Sequence, residues 1–342
     1  MTRLLRFLLA IAGGVMLSLA WLGFPGWLLF VAFLPLLLID DYFVSFPSRF
    51  KSISFWGYSL LTFLIWNTMP TWWIIHATAV GAFLAIIANS LLMSLVFLLA
   101  HVIRRHSRAT TGYLAYIVLW LSFELAHFHW DIEWPWLTLG NGFANNVRMV
   151  QWYSVTGTLG GSLWIWLVNI LLFRFLKMIA AKTDTRQILK SGTLIGVLVL
   201  LPVICSFCQY YNYREKVNPR KVLIIQPNID PYTETFDEGS LNNKLSKFIS
   251  LTESNLQQGI NYIVGPETVF EQEWNETSLM NYQAVKKLQK LTVKEGNSAL
   301  IIGASTFRVY ENESQVTPTA RRSGDGIYYD VYNTAIFMDS NG

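Results

Sequence analysis

The stretch YYNYREKVNPRKVLIIQPNI, residues 210–229, divides this chain into two parts of different composition. Its first half is polar and charged, as expected of a chain that leaves a membrane, whereas residues 221–229 form a largely apolar run. Such a run is typical of a strand that is buried on both faces of a sheet. We therefore predict a transmembrane domain over residues 1–213, a linker over 214–220, and part of an α/β domain over 221–342.

The composition of the whole chain favours a membrane protein. Of its 342 residues, 53% are hydrophobic and only 14% are charged, against about 25% charged residues in soluble domains. The net charge of +4 is distributed without a long basic run, which argues against a nucleic-acid partner. The N-terminus resembles a signal peptide, but more hydrophobic spans follow it directly. We therefore expect an uncleaved first helix.

Hydrophobic stretches long enough to cross a bilayer recur through the first domain. A spanning helix needs about 20 mostly apolar residues, and on that basis we predict a polytopic α-helical membrane domain of about seven spans. Their ranges are 4–22, 26–40, 53–69, 79–103, 112–128, 159–180 and 191–211. The second range is short and can extend to Phe46.

The basic residues of the loops predict the orientation of these spans, because lysine and arginine are enriched in cytoplasmic loops. If the N-terminus is cytoplasmic, the segments on its side carry twelve basic residues and the opposite loops carry only Arg148. The twelve are Arg3, Arg6, Arg49, Lys51, Arg104, Arg105, Arg108, Arg174, Lys177, Lys182, Arg186 and Lys190. With seven spans, the residues after Tyr213 then lie outside the cytoplasm.

Ionisable residues inside the spans are candidate functional groups, because a charge in lipid is costly. Glu124 and His127 lie on one helix face, and we predict a hydrogen-bonded pair inside the bundle without a metal ion. The loop 129–158, rich in Trp, Pro and Gly, can form an interfacial aromatic belt or the rim of a lipid-facing site. Cys205 and Cys208 lie in an apolar helix, where we predict packing in the membrane instead of redox or metal chemistry.

Beyond the linker, short apolar strands alternate with amphipathic helices. The predicted strands cover 221–229, 261–267, 299–307 and 327–339, and the predicted helices cover 240–258 and 279–296. This order indicates an α/β layer fold. Because the chain stops in a turn, DSNG, after the fourth strand, we expect a domain that is truncated.

Glu267 is the candidate catalytic residue of this domain. In open α/β sheets, chemistry collects at the carboxyl ends of the strands, and Glu267 follows the predicted strand in YIVGPE. Pro266 favours extended geometry at Gly265, and Gly265 permits close approach of its neighbours. A carboxylate held there can act as a general base. The alternative is an ordinary strand-end glutamate, in a salt bridge or at the start of a helix.

The order of these motifs resembles the nitrilase superfamily. VLIIQPNI, YIVGPET, LIIGAS and YDVYNTAIFMDSNG follow one another as in that superfamily, with a PE glutamate followed by a YN strand. FELAHFHWDIEWPWLTLGNG is similar to a glutamate and PW loop of the apolipoprotein N-acyltransferase family, whose members combine a multi-span domain with a nitrilase-like domain. The resemblance covers nearly the whole chain and implies part of an αββα sandwich.

The resemblance also implies an activity and its substrates. The family transfers an acyl chain from a phospholipid donor to the N-terminal amine of diacylglyceryl-cysteine on an apolipoprotein acceptor, through a thioester on a cysteine. Glu267 matches the family's glutamate base, and no cofactor or metal is implied. Phe236, with Tyr232 as second choice, matches an aromatic residue on a loop over the active site; the alternative is a loop aromatic that packs on the surface of the domain. The implied location is the bacterial inner membrane, with a cytoplasmic N-terminus and a periplasmic second domain.

Two further members of the family's site match no residue of this chain. The family's lysine follows the YN strand and its cysteine lies on a later strand, so both positions fall beyond Gly342. The lysines of the second predicted helix show the pattern of a solvated face; they are Lys286, Lys287, Lys290 and Lys294. We therefore expect the polypeptide as given to be catalytically incomplete and hard to fold alone.

Two other functions stay open at this point. The first is a membrane-tethered nitrilase-type amidase that acts on a small amide. The second is a non-catalytic membrane protein, such as a transporter or scaffold, with a degenerate soluble domain. A lysine and a strand-borne cysteine in sequence beyond Gly342 would favour an enzyme.

Overall fold

The computed structural model describes residues 1–130, 133–229, 238–267, 269–293 and 298–340, without the side chains of 238–240, 271, 272 and 313. The chain divides into two compact units, Met1–Arg214 and Glu215–Gly342. Each unit has a hydrophobic core of its own.

The first unit is a bundle of α-helices. In chain order they are α1 (Arg3–Leu19), α2 (Leu29–Ala32), α3 (Leu34–Ser45), α4 (Ser52–Thr71), α5 (Ala79–His106), α6 (Ala109–His127), α7 (Tyr153–Ala180) and α8 (Thr185–Asn212). Short 3₁₀ segments lie between them at Ala20–Leu22, Gly26–Leu28, Trp72–His76, Pro135–Leu137 and Leu139–Met149. Gly157 interrupts α7 with φ of 63°, so the regular helix begins near the predicted residue 159.

Six helical segments among the described residues are long and apolar enough to cross a membrane. They are Arg3–Leu22, Gly26–Ser45, Ala79–His106, Ala109–His127, Tyr153–Ala180 and Thr185–Asn212. These segments coincide with six of the seven predicted ranges and confirm a polytopic helical membrane domain. The remaining range, 53–69, is also a helix, α4, but it does not belong to that apolar set.

The lower hydropathy of α4 comes from polar side chains that face the other helices. The hydroxyl of Thr62 donates to the carbonyl oxygen of Ala10 in α1 at 2.8 Å. Asn67 accepts a hydrogen bond from Asn89 in α5, with 2.7 Å between Nδ2 and Oδ1. Hydrogen bonds between helices are a usual source of cohesion in membrane bundles. A helix inside the bundle can therefore carry more polar residues than one that faces lipid.

Large aromatic rings fill the core between these helices. Phe33 and Trp166 stack with ring centroids 4.3 Å apart, and Trp66 and Trp120 stack at 6.2 Å. All four residues have no exposed surface. Rings at such distances contribute packing energy beyond the area that they bury, so these aromatic contacts stabilise the core of the bundle.

A buried ionic network joins three helices at one end of the bundle. Asp40 in α3 is 1% exposed and contacts His101 and Arg104, both on α5. Arg104 also binds Asp41 at 2.6 Å, and Lys177 in α7 reaches the same carboxylate at 2.8 Å. Buried charges are tolerated when they are paired in this way. Asp40 and Asp41 are therefore both engaged by basic side chains.

The second unit is a mixed sheet covered by helices on one face. Its strands are β1 (Val222–Ile224), β2 (Tyr262–Val264), β3 (Phe270–Asn275), β4 (Ala299–Tyr310), β5 (Arg321–Arg322) and β6 (Tyr328–Met338). The strand order is β1-β2-β4-β6-β5, with β3 also paired to β4. The pairs among β1, β2, β3 and β4 are parallel, whereas β6 runs antiparallel to β4 and β5.

Two helices supply the layer that covers the sheet, α9 (Glu238–Asn255) and α10 (Gln283–Val293). Phe248 of α9 and Leu288 of α10 share a core with Ile263, Leu300 and Ile302 of the sheet. The predicted helices and strands are present with shifted ends, but β3 and β5 were not predicted. The start of the predicted helix 279–296 is instead a 3₁₀ segment, Glu276–Asn281.

The opposite face of the sheet is apolar and exposed. Ile224, Val264, Ile301 and Phe337 lie in one row across β1, β2, β4 and β6. Ile224 is 74% exposed and Phe337 is 59% exposed. An αββα sandwich would cover this face with a second sheet, whereas the described residues form one sheet and one helical layer.

Candidate active site

Glu267 lies in an interruption between β2 and β3. Val264 is paired with Ile301 of β4, and Phe270 is paired with Ala304 of the same strand. Between these two pairs the chain therefore advances by six residues, whereas β4 advances by only three. Extra residues in one of two paired strands bulge outward and re-aim a side chain, so this segment presents Glu267 beside the sheet.

The backbone on both sides of Glu267 stays tied to β4. Gly265 donates its N–H to the carbonyl oxygen of Ile301 at 2.8 Å, and Gly303 donates to Pro266 at 3.2 Å. Val269 donates in turn to Gly303 at 3.2 Å. These bonds hold the interruption in one place, because both ends are anchored to a continuous strand.

The close approach expected at Gly265 is confirmed. A Cβ atom there would lie 2.9 Å from Cγ1 of Ile302 and 3.0 Å from Cε2 of Phe248. Any larger residue would push the interruption away from the helix-covered core. Glycine is therefore needed two residues before Glu267 for packing.

The side chain of Glu267 is exposed and has one hydrogen bond among the described residues. Nδ2 of Asn333, on β6, donates to Oε1 of Glu267 at 2.5 Å. No lysine, arginine or histidine of the described residues forms an ion pair with Glu267, and the next element is strand β3, not a helix. Both alternatives considered for this glutamate, a salt bridge and a helix start, are absent from the described part of the chain.

Asn333 was not predicted as a site residue, although it is the asparagine of the YN motif. It lies opposite Ser305 of β4 and is exposed, as is Phe337 on the same strand. The alternation of side chains along β6 assigns it to the outer face. Only the register between β4 and β6 brings it to Glu267, which is 66 residues away in sequence.

A polar cluster around Asp330 orders the strand that carries Asn333. The hydroxyls of Thr317 and Tyr310 donate to Oδ2 of Asp330 at 2.5 and 2.7 Å. These two hydrogen bonds favour the carboxylate and lower the pKa of Asp330. The cluster ties the polar segment after β4 to β6, three residues before Asn333.

The other residues considered from sequence are not brought to Glu267. Phe236 and Tyr232 lie outside the described residues, and so does Lys294. Lys286, Lys287 and Lys290 are exposed on α10, as predicted for a solvated face. Cys205 and Cys208 are free and exposed on α8, so neither is packed inside the bundle.

In the membrane unit, Glu124 anchors a loop and does not pair with His127. Oε1 of Glu124 accepts hydrogen bonds from Nε1 of Trp120 and from the backbone N–H of Leu139, both at 2.8 Å. His127 instead contacts Asn89 and Trp130, each at 3.1 Å. The predicted pair is wrong, although both residues are buried, because each finds a partner outside its own helix turn.

The loop that Glu124 anchors packs closely against α7. Gly140 donates its N–H to Oγ of Ser162 at 3.1 Å and accepts from the hydroxyl of Tyr153 at 3.0 Å. A Cβ atom on Gly140 would lie 2.0 Å from the carbonyl oxygen of Thr158. The segment Leu139–Met149 is thus held by a carboxylate, two hydroxyls and a contact that only glycine allows.

No group of three or more His, Cys, Asp or Glu side chains in the described part of the chain could hold a metal ion. The described residues therefore offer no metal centre beside Glu267.

Comparison with known proteins finds relatives that are similar to this chain across both units. Residues 13–171 match the family model of the apolipoprotein N-acyltransferase N-terminal domain, which covers most of α1 to α7. The apolipoprotein N-acyltransferase of Chlorobaculum tepidum is 26% identical over 98% of this chain and 62% of its own length. The chain is thus similar to apolipoprotein N-acyltransferases over nearly its whole length. The apolipoprotein N-acyltransferase of Geobacter metallireducens is 28% identical over 66% of the chain and 43% of its own length.

The predicted resemblance is confirmed, and the matched N-terminal domain includes Glu124 and the loop that it anchors. The chain spans less than two thirds of the length of either relative.

Proposed function

We propose that this chain is part of a membrane acyltransferase that moves an acyl chain from a phospholipid to the N-terminal amine of a diacylglyceryl apolipoprotein. The observation that carries the proposal is Glu267, an exposed carboxylate that is oriented by Asn333 and has no ion-pair partner among the described residues. Similarity to apolipoprotein N-acyltransferases and six membrane-capable helices among the described residues support it. A membrane domain suits this reaction because both substrates carry lipid chains.

In this proposal Glu267 is the general base. It takes the proton of a cysteine thiol as the sulfur attacks the ester carbonyl of the phospholipid. The carbon–sulfur bond forms, the ester bond breaks, and the lysophospholipid leaves with a proton. The acceptor amine then attacks the thioester, which forms an amide and regenerates the thiol. The cysteine and an oxyanion-stabilising lysine match no residue of 1–342, so the proposal assigns them to a longer form of the polypeptide.

The direct test uses the whole polypeptide encoded by the gene, purified in detergent. We expect this protein to transfer a labelled acyl chain from a phospholipid to a peptide that begins with diacylglyceryl-cysteine. Mass spectrometry of the peptide measures the transfer. In a parallel assay, the same protein is incubated with small amides to test for amidase activity. Release of ammonia from these amides without peptide acylation would support an amidase, and the absence of both reactions would support a non-catalytic protein.

The proposed topology has seven crossings, with α4 counted as a span. Its 20 residues correspond to about 30 Å, the thickness of the hydrocarbon core. We expect alkaline phosphatase fused after Tyr213 to be active, because seven crossings from a cytoplasmic N-terminus end in the periplasm. A fusion after Ser107, between α5 and α6, should be inactive. An inactive fusion after Tyr213 would reduce the count to six crossings and place the second unit in the cytoplasm.

Asn333 is proposed as the positioning residue of the base. In the whole polypeptide, Asn333→Leu removes the hydrogen bond that Glu267 accepts from Asn333, and we expect kcat to fall about 100-fold with little change in pH profile. Asn333→Asp places a second carboxylate beside Glu267, which raises the pKa of the pair and shifts the acidic limb of the rate profile to higher pH. Equal profiles for the two variants would contradict the contact.

A further inference from the structure

An open groove lies at the end of the helical bundle where α1 begins. It runs between α1 and α4 and has a volume of about 750 Å³. Its lining residues are Arg3, Leu4, Arg6, Phe7, Phe43, Phe50, Ser54, Gly57, Tyr58 and Leu61. The lining therefore combines two arginines with apolar side chains and contains no carboxylate.

Arg6 is held in the wall of this groove by aromatic rings. Its guanidinium carbon lies 5.1 Å from the ring centroid of Phe50, 5.4 Å from that of Tyr42 and 5.6 Å from that of Tyr58. Nε donates to the hydroxyl of Tyr58 at 3.2 Å, and the residue is 9% exposed. Rings attract a cation without neutralising its charge, so Arg6 keeps a full positive charge in a nearly buried position.

No acidic residue of the described part of the chain pairs with Arg3 or Arg6. The two acidic residues of α3, Asp40 and Asp41, are bound by His101, Arg104 and Lys177. The first turn of α1 begins at Arg3 and adds the positive end of a helix dipole. The groove is consequently a site of uncompensated positive charge.

The remainder of the groove is suited to a lipid chain. Leu4 is 67% exposed and Phe7 is 47% exposed, on a helix that is apolar enough to cross a membrane. On α4, a Cβ atom at Gly57 would meet nothing within 4 Å, so the missing side chain leaves an open channel beside Tyr58. Basic pockets between transmembrane helices bind the head groups of anionic lipids.

We propose that this groove binds one anionic phospholipid, with its phosphate at Arg3 and Arg6 and an acyl chain over Gly57. The site is separate from the loop that Glu124 anchors. The segment just before that loop, Pro135–Leu137, lies beyond the other end of α1, where Nε1 of Trp21 donates to the carbonyl oxygen of Trp136 at 3.0 Å, about 25 Å away along a 17-residue helix. The inference does not depend on the proposed acyl transfer.

The test is native mass spectrometry of the whole protein in detergent with phosphatidylglycerol or phosphatidylcholine of identical acyl chains. We expect one phosphatidylglycerol to be retained in preference to phosphatidylcholine. Since one arginine near an anionic surface contributes about fivefold in affinity, Arg3→Gln should reduce retention about fivefold. Gly57→Leu keeps every charge but fills the channel, and it should also reduce retention.

Arg49→Gln is the matched control, because Arg49 is an exposed arginine at the same end of the bundle and does not line the groove. Retention by this variant should equal that of the unaltered protein. Equal losses for Arg3→Gln and Arg49→Gln would overturn the proposal in favour of general surface attraction. Displacement of the lipid by free glycerol phosphate, or no effect of Gly57→Leu, would overturn the assignment of the ligand as a lipid.

Discussion

Glu267→Gln in the whole polypeptide is expected to abolish formation of the acyl-thioester. Glutamine keeps the size of the side chain, but it cannot take a proton from the attacking thiol. Removal of a general base reduces a rate by about 10²–10⁴-fold. The measurement is the amount of labelled acyl-enzyme formed from a fluorescent phospholipid, resolved on a denaturing gel at short times.

The matched control for this variant is Glu273→Gln. Glu273 is an exposed glutamate on β3, in the strand that follows the interruption containing Glu267. The Glu273→Gln variant loses the same charge from the same region, and it should form the acyl-enzyme at the normal rate. If the Glu267→Gln protein accumulates acyl-enzyme as fast as the Glu273→Gln protein, Glu267 is not the base.

Gly140→Ala is expected to destabilise the membrane unit strongly. The new Cβ atom would lie 2.0 Å from the carbonyl oxygen of Thr158, which belongs to the backbone and cannot rotate away. Overpacking of this kind costs about 1–3 kcal/mol, which corresponds to a decrease in Tm of about 2–10 °C. The displaced loop would also lose the hydrogen bonds of Gly140 to Ser162 and Tyr153.

Thermal unfolding in detergent, followed by tryptophan fluorescence, provides the measurement. Gly196→Ala serves as control, because a Cβ atom on Gly196 in α8 would meet nothing within 4 Å. Alanine is favoured over glycine in a helix by about 1 kcal/mol, so this variant should have an unchanged or higher Tm. A Tm for Gly140→Ala equal to that of the control would show that the loop is not packed against α7 as described.

The separation between the membrane unit and the sheet unit could be predicted from sequence, because it depends on local composition. A run of about 20 apolar residues is costly to expose to water wherever it occurs, so the six apolar spans were identified without knowledge of their partners. Helix α4 is the one predicted span outside the apolar set. Its polar residues are explained only by their hydrogen bonds to neighbouring helices. Thr62 and Asn67 bond to Ala10 and Asn89 on other helices, and no hydropathy window contains that information.

The candidate site likewise has features that local sequence predicted and features that depend on distant neighbours. Glu267 could be proposed from sequence because a glycine, a proline and the end of an apolar strand lie within three residues of it. Strand β3 was missed because FEQEWN has little apolar alternation, and it becomes a strand only through pairing with β4. The hydrogen bond partners of Glu124 and His127 were missed for a similar reason, since they lie on other turns and helices.

The sequence by itself determined the class of this protein and the placement of its hydrophobic spans, and it singled out Glu267 as a candidate base. All of these depend on patterns that are read over a few adjacent residues. The tertiary structure alone decided that Asn333 donates a hydrogen bond to Glu267, that Gly140 permits the loop to approach α7, and that Arg6 lies among aromatic rings. Each of these depends on contacts between residues that are distant in sequence, because strand register and helix packing determine which side chains meet.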